Sequence, residues 1–265
     1  MLIRDFIKDT TAAFSRVGIV SPRLDTLVLL CDELKRDKAW LLAHDDESLT
    51  GEQLLHLDAK IKRRLKREPL SYIRGFQEFY GRRFAVNPNV LIPRPETEAL
   101  IELLPKTPGL AMIDVGTGSG VIAITAKLEN PTWEVHASDF SLQALEAAKL
   151  NARQLGADIT FFKDFLLDNN SSTYDVIAAN LPYVSNDWDV PPELSFEPPL
   201  ALYARQGTTA LIQALIEQTP LRLNTGGYLL LESDPEQHAE IILHAQRIGL
   251  EYQQTLGYIT LFKKG

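Results

Sequence analysis

Cysteine is nearly missing: Cys31 stands alone in 265 residues, which excludes an internal disulfide framework and leaves no thiol pair for a structural zinc. Histidine is sparse too, and His136, His238 and His244 follow no metal-ligand spacing, so no metal is expected. No apolar run approaches membrane-spanning length. The opening stretch MLIRDFIKDTTAAF mixes acids among its apolar residues and reads as an amphipathic helix rather than a signal peptide. Low-complexity tracts and internal repeats are absent as well. The expectation is a soluble, cytoplasmic, globular chain, and 45% hydrophobic against 23% charged residues is enough to bury a core.

What charge there is lies unevenly. The net charge is −8, yet between Lys60 and Arg83 nine Lys/Arg face only two Glu, whereas residues 110–265 carry nine Lys/Arg against nineteen acids. The run KIKRRLKREP is read as a solvated helix face, the alternative being a dock for nucleic acid or an acidic partner. An acidic second part argues against a duplex DNA substrate.

Residues 1–70 read as a small helical domain. Ser21-Pro22 supplies an N-cap and a first-turn proline, and Thr50-Gly-Glu-Gln53 has the form of a capping box. Apolar positions such as Leu54, Leu57, Ile61 and Leu65 recur at helical spacing. Residues 71–93 contain GFQEFYGRRFAVN, a predicted β-hairpin linking two domains, and Glu96 is expected near the start of the helix that follows. Over 94–265 strand-like and helix-like runs alternate, from AMIDV to YITLFK, which predicts a doubly wound α/β sheet with helices on both faces.

IDVGTGSGVIAI places Gly116, Gly118 and Gly120 between a strand and a helix, where backbone can approach a ligand closely and free N–H groups are on offer. The spacing is not that of the dinucleotide fingerprint. Asp139 follows at the end of the next predicted strand, 19 residues past Gly120, where a carboxylate can accept both hydroxyls of a ribose. Together these point to an adenosine-type ligand.

YDVIAAN reads as the fourth strand of that sheet, so Asn180 emerges at its carboxyl edge. Pro182 pushes Leu181 into an extended shape, and Tyr183 adds an aromatic face. A rigid acceptor platform of this kind suits a nitrogen whose lone pair is delocalised into a neighbouring π system. If the Asn180 side-chain oxygen and the Leu181 carbonyl take its two N–H hydrogens, the lone pair is free to meet an electrophilic methyl.

DVGTGSG with its following acid resembles the first motifs of class I S-adenosylmethionine-dependent methyltransferases. The resemblance implies a Rossmann-like sheet, with Gly116, Thr117, Gly118, Ser119 and Gly120 along the methionine and adenosine, Asp139 on the ribose, Asp164 and Phe165 beside the adenine, and Asn180 against the cofactor beside its methyl. Asn-Leu-Pro-Tyr is similar to the Asn-Pro-Pro-Tyr signature of amino-methyltransferases, with Leu181 in place of the first proline. That signature does not separate DNA adenine, RNA guanine and protein glutamine as acceptors. Together with REPLSYIRGFQEFYGRRFAVNPNVLIPRPETE and FEPPLALYARQGTTAL, it resembles the HemK/PrmC family, the peptide-chain release factor glutamine N(5)-methyltransferases, over nearly the whole chain. The resemblance implies S-adenosyl-L-methionine as cofactor and the glutamine of a release factor's Gly-Gly-Gln loop as substrate, held by Asn180 and Leu181 and flanked by Pro182 and Tyr183. It further implies a helical domain, residues 1–70, that helps grip the release factor; a monomer without direct nucleic-acid binding is expected. Arg94 and Glu98 of PRPETE are read as structural, paired to fix the interdomain loop, with Arg94 also near the cofactor. The segment LLLESDPEQHAE keeps Glu232 but has Ser-Asp where the family continues with isoleucine- or histidine-glycine.

Overall fold

The computed structural model describes residues 1–185, 187–204 and 207–265, which divide into two compact units. One comprises Met1–Gly75 with the short segment Val190–Phe196, the other Phe76–Asp189 and Glu197–Gly265. No helix among the described residues is long and apolar enough to cross a membrane.

The first unit is built from α1 (Ile3–Arg16), α2 (Pro22–Leu34), α3 (Lys38–Ala43), α4 (Gly51–Leu65) and α5 (Leu70–Arg74) around a core that includes Phe14, Leu30, Leu41 and Leu57. The capping box forms as its sequence requires. Gln53 N donates to Thr50 Oγ1 at 3.2 Å, and Thr50 N donates to Gln53 Oε1 at 2.8 Å, so two orphan amides are satisfied reciprocally. Ser21 does hold the N-cap position before Pro22, but its hydroxyl does not accept from the helix; it donates to Asp25 Oδ1 at 2.9 Å.

That departure follows from a buried charge cluster. Arg64 is 6% exposed; it donates from Nε to Asp25 Oδ2 at 2.8 Å and from Nη1 to Glu193 Oε1 at 3.0 Å. Arg67 adds a bidentate grip on Glu193, at 2.9 and 2.7 Å, and caps the carbonyls of Val17 and Gly18. Much of the basic stretch is thus committed internally. Lys60 pairs with Glu33, Lys62 with Asp58, Arg63 with Glu68, Arg74 with Asp32, Arg82 with Glu129 and Arg83 with Glu78. Lys66, exposed, has no ion pair among the described residues.

The second unit opens with the hairpin β1 (Phe76–Phe79) and β2 (Arg82–Ala85). Tyr80 and Gly81 between them have φ of 48° and 71°, the left-handed pair of a two-residue turn that matches strand twist. A 3₁₀ turn at Pro95–Thr97 leads into α6 (Glu98–Glu102), so Glu96 sits just before that helix. The central sheet contains β3 (Ala111–Val115), β4 (Glu134–Asp139), β5 (Thr160–Lys163), β6 (Tyr174–Asn180), β7 (Leu223–Glu232), β8 (Leu250–Leu256) and β9 (Ile259–Lys264), in the order β5-β4-β3-β6-β7-β9-β8. The first five are parallel, and β9 runs antiparallel between β7 and β8. Crossovers are made by α7 (Val121–Glu129), α8 (Leu142–Leu155), the short α9 (Pro199–Leu202) with α10 (Ala210–Arg222), and α11 (His238–Arg247).

Side-chain alternation along these strands divides the interior into two cores. Met112, Val176, Ala178 and Leu230 face one layer with α6 and α7; Ile113, Ile177, Ala179, Leu229 and Leu231 face the other with α10 and α11. Both faces are covered, which is why these strands read as continuous apolar runs. β8 departs from that pattern and from the sequence expectation. LEYQQTL exposes every side chain after Leu250, because it is the sheet's edge and buries neither face, so no apolar rhythm marks it.

Removing one partner from a buried, hydrogen-bonded ion cluster strands the others. Arg64→Ala is expected to lower unfolding free energy by about 3 kcal/mol in a urea titration, and Lys66→Ala to change it by less than about 0.5 kcal/mol.

Candidate active site

Parallel strands deliver their carboxyl ends to one edge, and the site is assembled there. β3 ends at Val115 and the chain turns through Gly116, Gly118 and Gly120, with φ of 75°, 56° and 85°. Gly116 N and Thr117 N both donate to Ser138 O at 2.9 Å, fixing the loop to the neighbouring strand. Asp114 ties it from beneath. Its Oδ2 accepts from Thr117 Oγ1 at 2.6 Å and from Ala123 N at 3.2 Å. Burial pushes the Asp114 carboxyl up to about 7 against those two hydrogen bonds, and its Oδ1 is buried without a partner among the described residues.

Asp139 ends β4 beside the loop. Oδ2 accepts from Gly118 N at 2.9 Å and Oδ1 from Ser141 N at 2.8 Å, and each oxygen keeps a further lone pair for a hydroxyl. Burial raises its pKa, opposed by the Ser141, Gly118 and Phe140 amides. Asp164 is turned to its own loop: it accepts from Phe165 N at 2.9 Å and from the Asn169 side chain at 2.9 Å. Phe165 is 47% exposed and meets Phe140, 57% exposed, edge to face at 6.1 Å. Phe140 was not foreseen in the sequence, where HASDF drew attention only to its acid.

β6 ends at Asn180, as the strand reading requires. Asn180 Nδ2 donates to Thr97 Oγ1 at 3.3 Å, and among the described residues nothing donates to its Oδ1 or to the Leu181 carbonyl. The motif is held on both sides. Gln237 Nε2 donates to Tyr183 O at 3.0 Å, and Val184 bridges to Tyr203 in the segment returning from Pro198. Leu181 is buried, and its Cδ2 lies 2.9 Å from where a Gly116 Cβ would stand. The leucine that replaces proline thus packs onto the glycine loop itself.

A cavity of about 590 Å³ joins these parts. Residues 116–119, Asp139, Asp164 and Phe165 line it, and so do Asn180, Leu181 and Pro182. Gly120 and Tyr183 are not in its wall. Gly120 instead starts α7 where a Cβ would meet Ile124 Cδ1 at 2.8 Å and Ala148. The Tyr183 hydroxyl points to Glu232 Oε1, 3.4 Å away, and burial, with the Glu232 charge next, pushes its pKa upward.

Two quoted motifs meet at the same wall. Arg94 of PRPETE lines the cavity and donates to Glu197 Oε1 of FEPPL at 2.6 Å, and Glu197 Oε2 accepts from Ile92 N. Arg94 therefore does not pair with Glu98, whose carboxylate accepts from Tyr80 N at 2.7 Å. Arg205 and Gln206 of FEPPLALYARQGTTAL, like Asn186 after the Asn-Leu-Pro-Tyr motif, lie outside the described residues. Asn151, also unforeseen, holds Ser119 O and both backbone groups of Ala85.

Comparison with known proteins matches residues 5–75 to the PrmC N-terminal domain and residues 95–191 to the methyltransferase small domain. A release factor glutamine methyltransferase of Neisseria gonorrhoeae is 41% identical over 227 residues, 83% of either chain. The chain belongs to the release factor glutamine methyltransferase family. Another member, from Deinococcus radiodurans, is 34% identical over 255 residues, covering 94% of this chain and 92% of its own. Among solved structures, a methyltransferase from Pyrococcus furiosus shares the fold with a TM-score of 0.55 at 16% identity, covering 82% of this chain and all of that one. The sheet order and glycine loop are those of a class I, Rossmann-like methyltransferase.

Because Gly116 has positive φ and no room for a Cβ beside Leu181, Gly116→Ala combines backbone strain with a push on the acceptor motif. The variant is expected to lose about 1–2 kcal/mol in thermal unfolding.

Proposed function

We propose that this enzyme transfers a methyl group from S-adenosyl-L-methionine to the side-chain amide nitrogen of the glutamine in the Gly-Gly-Gln loop of peptide chain release factors. The observation that carries the reading is the end of β6: Asn180 lines the same cavity as the glycine loop, its Nδ2 engaged by Thr97 and its Oδ1 unclaimed among the described residues.

The residues fit the cofactor. At Gly118 a Cβ would meet no atom of the described residues within 4 Å, so the space beside this positive-φ residue is open to a ligand, and Asp139 stands next to it with lone pairs to spare. Residues 116–119 would hold the methionine end, Asp139 the ribose, and Phe140 with Phe165 the adenine. Bound there, S-adenosyl-L-methionine supplies an activated methyl on a sulfonium. Gly120 serves by letting α7 start close against α8, and Asp164 by fixing the loop that carries Phe165.

The protein's own contribution is orientation. A glutamine amide has two N–H groups and a lone pair shared with its carbonyl. Asn180 Oδ1 and Leu181 O accept the two hydrogens and turn the lone pair outward, Pro182 fixes the backbone that presents the Leu181 carbonyl, and one of the two hydrogens leaves to solvent as a proton once the nitrogen carries the methyl. Tyr183 anchors the platform through Glu232 and adds an aromatic edge. Residues 1–70, as a helical domain, grip the release factor, and the stretch 71–93, which carries the β1–β2 hairpin, leads to the catalytic domain at 94–265. The internal pairing of most of the 60–83 cations supports a protein rather than a nucleic-acid acceptor, since phosphate binding needs uncommitted charge.

The test is methyl transfer from labelled cofactor to a release factor, to the same factor with its Gly-Gly-Gln glutamine replaced, and to DNA and ribosomal RNA. Label is expected on the unaltered factor alone. Asn180→Ala should lower that rate by about 10²–10³-fold with cofactor affinity retained, and normal turnover by the variant would refute the platform.

A further inference from the structure

Glu232 stands out as a buried acid that the mechanism above leaves with only an anchoring task. It ends β7, in register with Asn180 on β6 and with Ile259 on β9, and is 1% exposed. A carboxylate in such a place is costly unless it is partnered. Tyr183 donates to Oε1 at 3.4 Å, and Oε2 is buried with no hydrogen-bond partner among the described residues. Asn180, paired with Glu232 in the ladder, donates from Nδ2 to Thr97 Oγ1, and both Thr97 and Asn180 favour the ionised carboxylate.

The direction of these bonds decides what the acceptor site offers. An asparagine amide presents oxygen or N–H₂ to a ligand according to which end its neighbours claim. A threonine hydroxyl that accepts from Nδ2 still has one hydrogen to donate, and a charged carboxylate is an acceptor only. We propose that Glu232 is a positioning residue for methyl transfer: its carboxylate polarises Thr97 and draws the Asn180 N–H₂ away from the cavity, so that Oδ1 is the atom presented to the substrate amide. With Glu232 protonated, the carboxyl becomes a donor, Thr97 is free to donate toward Asn180, and the flipped amide puts N–H groups where the substrate also has N–H groups. The inference rests on the glutamine-amide reading but concerns only how the platform is set.

Two titratable groups act on this carboxyl directly, Tyr183 and Glu96, and two more, Asp234 and Tyr258, act on Tyr183. Tyr183 comes from the loop after β6, Glu96 from the turn Pro95–Thr97, Asp234 from the residues after β7, and Tyr258 from the turn before β9. Burial, helped by the Glu96 charge, raises Glu232 to about 7, while Thr97, Tyr183 and Asn180 oppose the rise. The ionised, productive form therefore grows as pH increases through about 7, and turnover should rise with it.

The experiment compares wild type, Glu232→Gln, Thr97→Val and Thr97→Ser across pH 5.5–9 with about saturating cofactor, on whichever acceptor the wild-type enzyme methylates. Glu232→Gln is expected to lower kcat by about 10–10²-fold, to leave cofactor affinity within about twofold, and to lose the wild-type rise near neutrality. Thr97→Val should reproduce the loss without touching the carboxylate, and Thr97→Ser should restore most of the rate. Wild-type kcat and pH profile in Glu232→Gln would overturn the proposal, as would an active Thr97→Val. If Glu232→Gln fails to fold, the two Thr97 variants decide. Absence of label on the release factor with label on another amino acceptor would sink the substrate reading alone, and the Glu232 comparison would then be made on that acceptor.

Discussion

The parallel register of β3, β4, β6 and β7 is the constraint on which the site depends. Each strand ends with its carbonyl edge on the same side, and the ladder pairs Asn180 with Glu232 one strand apart. A slip of one residue in β7 would turn Glu232 out of the edge and Leu231 into its place, and would invert which residues face each core. The two apolar layers, Ile177 with Leu229 and Leu231 on one side, Val176 and Ala178 with Leu230 on the other, hold that register by hydrophobic burial. Fold stability and site geometry are thus two consequences of one alignment.

Asp114, Asp139 and Glu232 stand along this edge, the first and last buried and Asp139 half-buried, and each has a different task. Asp114 is deepest and ties the glycine loop to the start of α7. Asp139 organises two backbone amides and keeps lone pairs for a ligand. Glu232 has the poorest set of partners, which in a tightly packed interior is a cost retained rather than removed. Leu181 links the outer parts. Its side chain lies over Gly116, so the donor loop and the acceptor motif share a contact although 65 residues separate them in the chain.

Local signals were legible in the sequence. The Thr50 capping box, the Tyr80-Gly81 hairpin, the strand ends at Asp139 and Asn180 and the alternation that builds the sheet all rest on spacing within a few residues. What could not be read depended on partners distant in sequence. Ser21 loses its capping role because Asp25 lies beside Arg64; Arg94 meets Glu197 rather than Glu98; Phe140 becomes half of an aromatic wall only when β5 brings Phe165 across. The same holds for Thr97, which nothing marks until the 3₁₀ turn places its hydroxyl beside Asn180. β8 escaped for another reason, since an exposed edge strand needs no hydrophobic pattern.

The most direct measurement is a crystal structure of the enzyme with S-adenosylhomocysteine and a peptide containing the Gly-Gly-Gln sequence. The glutamine side-chain nitrogen is expected within about 3.2 Å of both Asn180 Oδ1 and the Leu181 carbonyl, with Asn180 Nδ2 still on Thr97. A glutamine nitrogen bonded elsewhere, or an Asn180 amide turned so that Nδ2 faces the peptide, would contradict it.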